Sequence, residues 1–178
     1  TSRNASGATD SVLDQTLVRF DPDVDLSPGA DGITLPGVPF TFTHTLTNTG
    51  TGVDTYTVTA GLPEGWSVNP VDPLTLDSGM TTTFDLEVLP AATAISGTVG
   101  DIVVTATSHY SPTIFDTEVN TVTISRTRGV ALGPGRNSTA GVGEHVITYT
   151  HTLTNTGNYT ETVVLAAESS LGWDVAFD

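Results

Sequence analysis

The octapeptide Thr-His-Thr-Leu-Thr-Asn-Thr-Gly occurs twice in this chain, at 43–50 and again at 150–157, 107 residues apart. Self-similarity at a fixed period constrains architecture before any single residue does. The match extends beyond the octapeptide. Val24-Asp25-Leu26-Ser27-Pro28-Gly29 returns as Val130-Ala131-Leu132-Gly133-Pro134-Gly135, and Gly65-Trp66 returns as Gly172-Trp173. A spacing near 107 is too long for a solenoid unit and is the modal size of a whole domain.

Aligning the chain with itself divides it in three. Residues 20–126 hold one complete copy, and 127–178 repeat its first half. Residues 1–19 align with the end of a preceding copy. The reading is a window of a tandem array. The half copy is expected to need further strands, from more sequence or a like subunit, to bury its apolar face. Strand donation between subunits is one way to supply them.

Alternation, the strand signature, runs through both copies. In 39–48, Phe40, Phe42, His44 and Leu46 point one way and Thr41, Thr43, Thr45 and Thr47 the other. In the second copy Ile147, Tyr149, His151 and Leu153 oppose Thr148, Thr150, Thr152 and Thr154. Asn48-Thr49-Gly50 then supplies turn chemistry. Further strands are predicted over 54–60, with Tyr56 and Val58 inward, near 74–76, over 82–89 with Phe84, Leu86 and Val88 inward, and over 102–107 and 117–125. No stretch offers an amphipathic helix. About seven short strands per period of about 107 residues is the pattern of an immunoglobulin-like β-sandwich, so the fold class is all-β, with such domains in tandem.

Composition narrows the partners. The formal charge of −15 repels nucleic acid and anionic lipid, and no apolar run is long enough to insert in a membrane within these residues. Cysteine and lysine are both absent, so disulfides and lysine–asparagine isopeptide bonds are not available here. Threonine supplies 34 of 178 residues. It suits the solvent face of a strand and accepts O-linked sugar, which points to an exposed, extracellular β protein.

The segments Thr45-Leu46-Thr47-Asn48-Thr49-Gly50, Gly65-Trp66, Leu76-Asp77-Ser78-Gly79, Val88-Leu89-Pro90 and Val104-Thr105-Ala106-Thr107-Ser108 resemble prokaryotic surface repeats. The family is that of the CARDB-like (cell-adhesion-related) domains and relatives, including the module appended to some secreted α-galactosidases. The resemblance implies a β-sandwich that spaces, displays or adheres. Members usually carry a small or β-branched residue where His44 and His151 stand.

Four groups of residues are candidate sites. His44 and His151 are either ligands or pH-sensitive groups, or core histidines with a hydrogen-bond partner. Trp66 and Trp173 offer either a sugar-stacking platform or a plug closing the sandwich. Asp21, Asp23, Asp25 and Asp31 lie in the stretch leading into the complete copy. They are candidate Ca²⁺ ligands that would stiffen the joint, or else a solvated acidic linker, and they lack the spacing of an EF-hand loop. Three sequons, at Asn4, Asn137 and Asn158, fall in predicted loops open to a glycan.

Catalysis has no motif to rest on. There is no Gly-x-Ser-x-Gly elbow, phosphate-cradling glycine loop or zinc helix signature. The one carboxylate position shared by both copies, Asp54 and Glu161, reads as an edge or solvent-facing charge. The sequence therefore points to a non-catalytic structural or adhesive segment of a cell-surface protein, stalk or filament. It would contact neighbouring repeats or like subunits, and glycans. The alternative is a carbohydrate-binding or spacer module of a secreted glycoside hydrolase, which predicts an exposed Trp66. No cofactor is implied apart from Ca²⁺.

Overall fold

The structure, a computed structural model, describes residues 11–139, 143 and 146–178. It is all-β. The strands are β1 (Val24–Ser27), β2 (Asp31–Thr34), β3 (Phe40–Asn48), β4 (Asp54–Gly61), β5 (Ser67–Val68), β6 (Leu74–Leu76), β7 (Thr81–Leu89), β8 (Val99–Ser108) and β9 (Phe115–Ile124). Beyond the complete copy follow β10 (Val130–Gly133) and β11 (Thr152–Asn155).

Two sheets face one another. One has the order β1-β3-β7-β5 and the other β2-β9-β8-β4-β6. Period-2 alternation puts one side chain in two between them. From the first sheet come Leu26, Phe42, Leu46, Leu86 and Val88; from the second come Tyr56, Ile102, Val104, Val122 and Ile124, all buried. Fully burying side chains of this size contributes about 1.5–3 kcal/mol each. The outward threonines of β3 are paired across the ladder to β7. Thr43 Oγ1 donates to Asp85 Oδ1 at 2.6 Å, and the Thr47 and Thr81 hydroxyls lie 3.0 Å apart.

The complete copy holds nine strands where about seven were expected. The stretch read as an acidic linker contains β1, which pairs antiparallel with β3 from Val24↔Asn48 to Ser27↔Thr45. After Pro28 the chain crosses to the opposite sheet, where β2 runs parallel to β9. The crossing passes so close to β9 that a Cβ on Gly29 would lie 2.5 Å from the Val119 carbonyl oxygen. Two bonds fasten it: Ala30 N–H donates to Asn120 Oδ1 at 3.0 Å, and Thr121 N–H to the Ala30 carbonyl at 2.9 Å.

In the second copy, β10 and β11 pair from Val130↔Asn155 to Gly133↔Thr152. No second sheet faces this pair among the described residues. Of the inward set of the alternation, Tyr149, His151 and Leu153 are exposed, Leu153 at 40%, and Trp173 further along the copy is exposed at 65%. Val163 and Leu165, which stand 107 residues after Tyr56 and Val58 of β4, lie outside any strand.

Candidate functional site

The Asn-Thr-Gly turn after β3 is the organising node of the sandwich. Asn48 is the last residue of β3, and its side chain is 0% exposed. Its Nδ2 donates to the carbonyls of Gly52 and Leu76, each at 2.8 Å, and its Oδ1 accepts the Gly50 N–H at 2.9 Å. Only an amide can donate twice and accept from one short side chain. Gly50 is fixed by space, since a Cβ there would lie 2.7 Å from Asp21 O and 2.8 Å from Asp23 N. The turn before β7 closes on the same point, because Gly79 N–H donates to the Asn48 carbonyl at 2.8 Å.

Two of these three side-chain bonds recur at the second octapeptide. Asn155 Nδ2 donates to Tyr159 O at 2.7 Å, and Gly157 N–H donates to Asn155 Oδ1 at 2.9 Å. The entry of the chain into each strand pair is matched as well. Thr51 N–H donates to Asp21 O at 3.0 Å, as Asn158 N–H does to Thr127 O at 3.1 Å. Asp21 N–H donates to Thr51 Oγ1 at 2.8 Å, as Thr127 N–H does to Asn158 Oδ1 at 2.7 Å. Thr51 Oγ1 donates to Arg19 O at 3.4 Å, as Asn158 Nδ2 does to Ser125 O at 2.9 Å. The Asn158 amide does the work of the Thr51 hydroxyl, accepting with oxygen and donating with nitrogen.

Around this turn the two copies diverge. Phe20 packs where a Cβ on Gly52 would stand, and its ring meets Tyr110 edge-on with centroids 4.3 Å apart. At the corresponding place in the second copy, Arg126 lies over the Tyr159 ring, 4.1 Å from its centroid. Arg126 also donates to Glu161, whose Oε1 lies 3.5 Å from Arg128 Nε. The loop between β7 and β8 of the sandwich reaches the same place. Ser96 N–H donates to Asn158 O at 2.9 Å, and Asn158 Nδ2 reaches Ala94 O at 3.5 Å.

Asp54 corrects the reading of an edge charge. It is buried, and its carboxylate accepts from Ser108 Oγ, Thr55 N–H and Tyr110 N–H. Ser108 Oγ in turn accepts from Ser111 N–H at 3.1 Å, so the pair fastens the β8–β9 turn to β4. Its counterpart Glu161 is the carboxylate of the arginine pair.

His44 lies wholly inside the sandwich, stacked on Phe84 with centroids 5.4 Å apart. Because Asn120 Oδ1 accepts from Ala30, its Nδ2 faces His44 Nε2 at 2.9 Å, which places the imidazole proton on Nδ1. Nδ1 has no partner at hydrogen-bond geometry. Burial holds the imidazole pKa below its ordinary value, opposed by the Glu118 carboxylate and, last, by the Pro28 backbone. Tyr56 is equally buried. Its hydroxyl donates to Asp23 O at 3.0 Å, and burial, with Asp54 and Asp23, pushes its pKa up to about 12.

Trp66 is 9% exposed, following the Pro63–Trp66 turn in which Gly65 takes φ 76°. Its six-membered ring covers Gly100, where a Cβ would lie 2.5 Å from Cη2. Neither ring face is free for stacking on a sugar. Asp25 projects outward from β1 and Asp31 from β2, on different sheets. No three carboxylate or imidazole groups come together to hold a metal ion among the described residues. Asn137 is exposed outside any strand. Asn4 lies outside the described residues.

The fold is an immunoglobulin-like β-sandwich. No protein-family model matches the chain, and no curated protein matches it. Among solved structures, it is similar to WR4, a C. elegans MSP family member (15% identity, 57% of this chain and 97% of that one, TM-score 0.38). It is also similar to PapD-like domain 7 of human CEP192 (15% identity, 57% and 84%, TM-score 0.40). A third likeness is to a chaperone–tip adhesin complex of CFA/I fimbriae biogenesis (12% identity, 76% and 67%, TM-score 0.42).

Proposed function

We propose that this chain is a non-catalytic, structural or adhesive segment of an extracellular surface protein, built from tandem repeats related to the CARDB-like domains. The observation that carries this reading is the duplicated node. The octapeptide recurs with its strand register, its asparagine bonds and the bonds at the chain's entry. Two points 107 residues apart that rebuild one arrangement bond by bond support one module used twice. With strands of roughly ten residues at about 3.3 Å each, every module would add on the order of 35 Å of reach. The outward threonines support a hydrated, weakly charged surface suited to sugar, and of the two sequons among the described residues Asn137 is exposed while the Asn158 amide is bonded.

Buried Trp66 takes away the feature on which a carbohydrate-binding module would rest, so the structural reading is preferred. The test is surface exposure in the source organism. Antibodies against residues 20–126 should label intact cells. Labelling that appears only after permeabilisation refutes an extracellular role.

A further inference from the structure

We propose that the Ala94–Ser96 loop is the docking surface for the following repeat, and that Asn158 is the residue that locks the joint. This rests on the tandem-repeat reading, and it names the partner as the next copy in the same chain. The copy is already seated there. Its turn, Asn155 to Glu161, closes with Pro36, Ala92, Thr93, Ile95 and Ser96 around an open cleft of about 760 Å³.

Three features mark this contact as a joint. First, the Asn158 side chain spans both partners, donating to Ser125 O at 2.9 Å and to Ala94 O at 3.5 Å while accepting from Thr127. The Thr51 hydroxyl makes the two local bonds but is too short to span a second element. Asparagine in place of threonine therefore adds reach toward the preceding domain. Second, the backbone closes the same gap, with Ser96 N–H on Asn158 O at 2.9 Å. Third, the chain passing between the domains is held at its sides. Arg126 and Arg128 converge on Glu161, and Arg126 covers the Tyr159 ring. With the connecting residues bonded on both sides, the joint limits flexing that a free linker would allow.

Hydrogen exchange of the Ser96 amide in the full chain reads the joint directly. In the native chain Ser96 should exchange slowly for a loop amide. Asn158→Ala should speed it about tenfold or more, since hydrogen bonds worth roughly one factor of ten are removed. Asn158→Thr, which copies Thr51, should recover part of the protection. Amides of β8, inside the sandwich, report that the domain itself stays folded in each variant. The proposal is overturned if Ser96 is unprotected in the native chain, or if Asn158→Ala leaves its exchange unchanged. Failed surface labelling with a protected Ser96 would refute the extracellular role and leave the joint standing.

Discussion

Replacing Asn48 with alanine removes the side chain that ties three loops together. Two carbonyls, of Gly52 and Leu76, and one N–H, of Gly50, lose their partner. A typical hydrogen bond contributes about 1 kcal/mol net, so three give about 3 kcal/mol, and more where the stranded group stays dry. In a domain near 100 residues each 1 kcal/mol moves Tm by about 4–8 °C, so Tm should fall by roughly 12–24 °C. The chain carries its own control, because Asn155 stands at the same octapeptide position but is exposed and makes two such bonds. Water can replace both, and Asn155→Ala should cost under about 0.5 kcal/mol. Urea denaturation followed by tryptophan fluorescence measures both variants, with Trp66 reporting the sandwich core. Equal costs for Asn48→Ala and Asn155→Ala would refute the argument, since it rests on the burial of the Asn48 amide and on its third bond, to the Leu76 carbonyl.

Further outcomes follow from the other nodes. His44 has a folded pKa below its unfolded value of about 6.5, so the unfolded chain takes up the proton first and stability is level above that pH. Below it stability should fall toward the folded pKa, and His44→Phe should flatten that slope in urea titrations at pH 5 to 7; an unchanged slope refutes the assignment. Gly100→Ala puts a methyl into the Trp66 ring and should cost about 1–3 kcal/mol by denaturation, whereas a neutral result would mean that Trp66 does not cover Gly100. Intact-mass analysis of glycosylated material should find sugar at Asn137 in preference to Asn158, whose Nδ2 is held by Ser125 O; full occupancy at Asn158 would mean the joint is open when the sugar is attached. Millimolar Ca²⁺ should leave Tm unchanged, and a rise of several degrees would show that carboxylates such as Asp21 and Asp23 come together around the ion.

Strands of eight or more residues, long enough to show several periods of alternation, were legible in the sequence. β3, β4, β7, β8 and β9 fall where alternation puts them, to within a few residues at their ends. The three strands it missed lack that signal for separate reasons. In β1 only Val24 and Leu26 point inward, and the acidic residues flanking them read equally well as a linker. In β2 the polarity is inverted, with Gly32 and Thr34 inward and Ile33 exposed. β5 has two residues, too few for any period. The site was less legible because its partners are distant in sequence: Asp54 meets Ser108, and His44 meets Asn120. Self-alignment did hold one clue, since it sets Asn158 opposite Thr51, and both side chains can donate and accept.

The two octapeptides separate what a short sequence carries by itself from what the fold must add. Strand register and the asparagine-to-glycine bond are present at both places, and both close within about 30 residues. Burial is present at only one. Leu46 is fully covered in the core between the two sheets, while Leu153, its counterpart, has no opposing sheet among the described residues. The local bonds contribute geometry at little net free energy, since water offers nearly equal partners when they break. The opposing sheet contributes the apolar burial, and by excluding water it makes those same bonds costly to lose. The octapeptide is thus a register mark whose energetic weight is set by the strands that close over it. For that reason the difference between Asn48→Ala and Asn155→Ala measures the contribution of the second sheet to the turn.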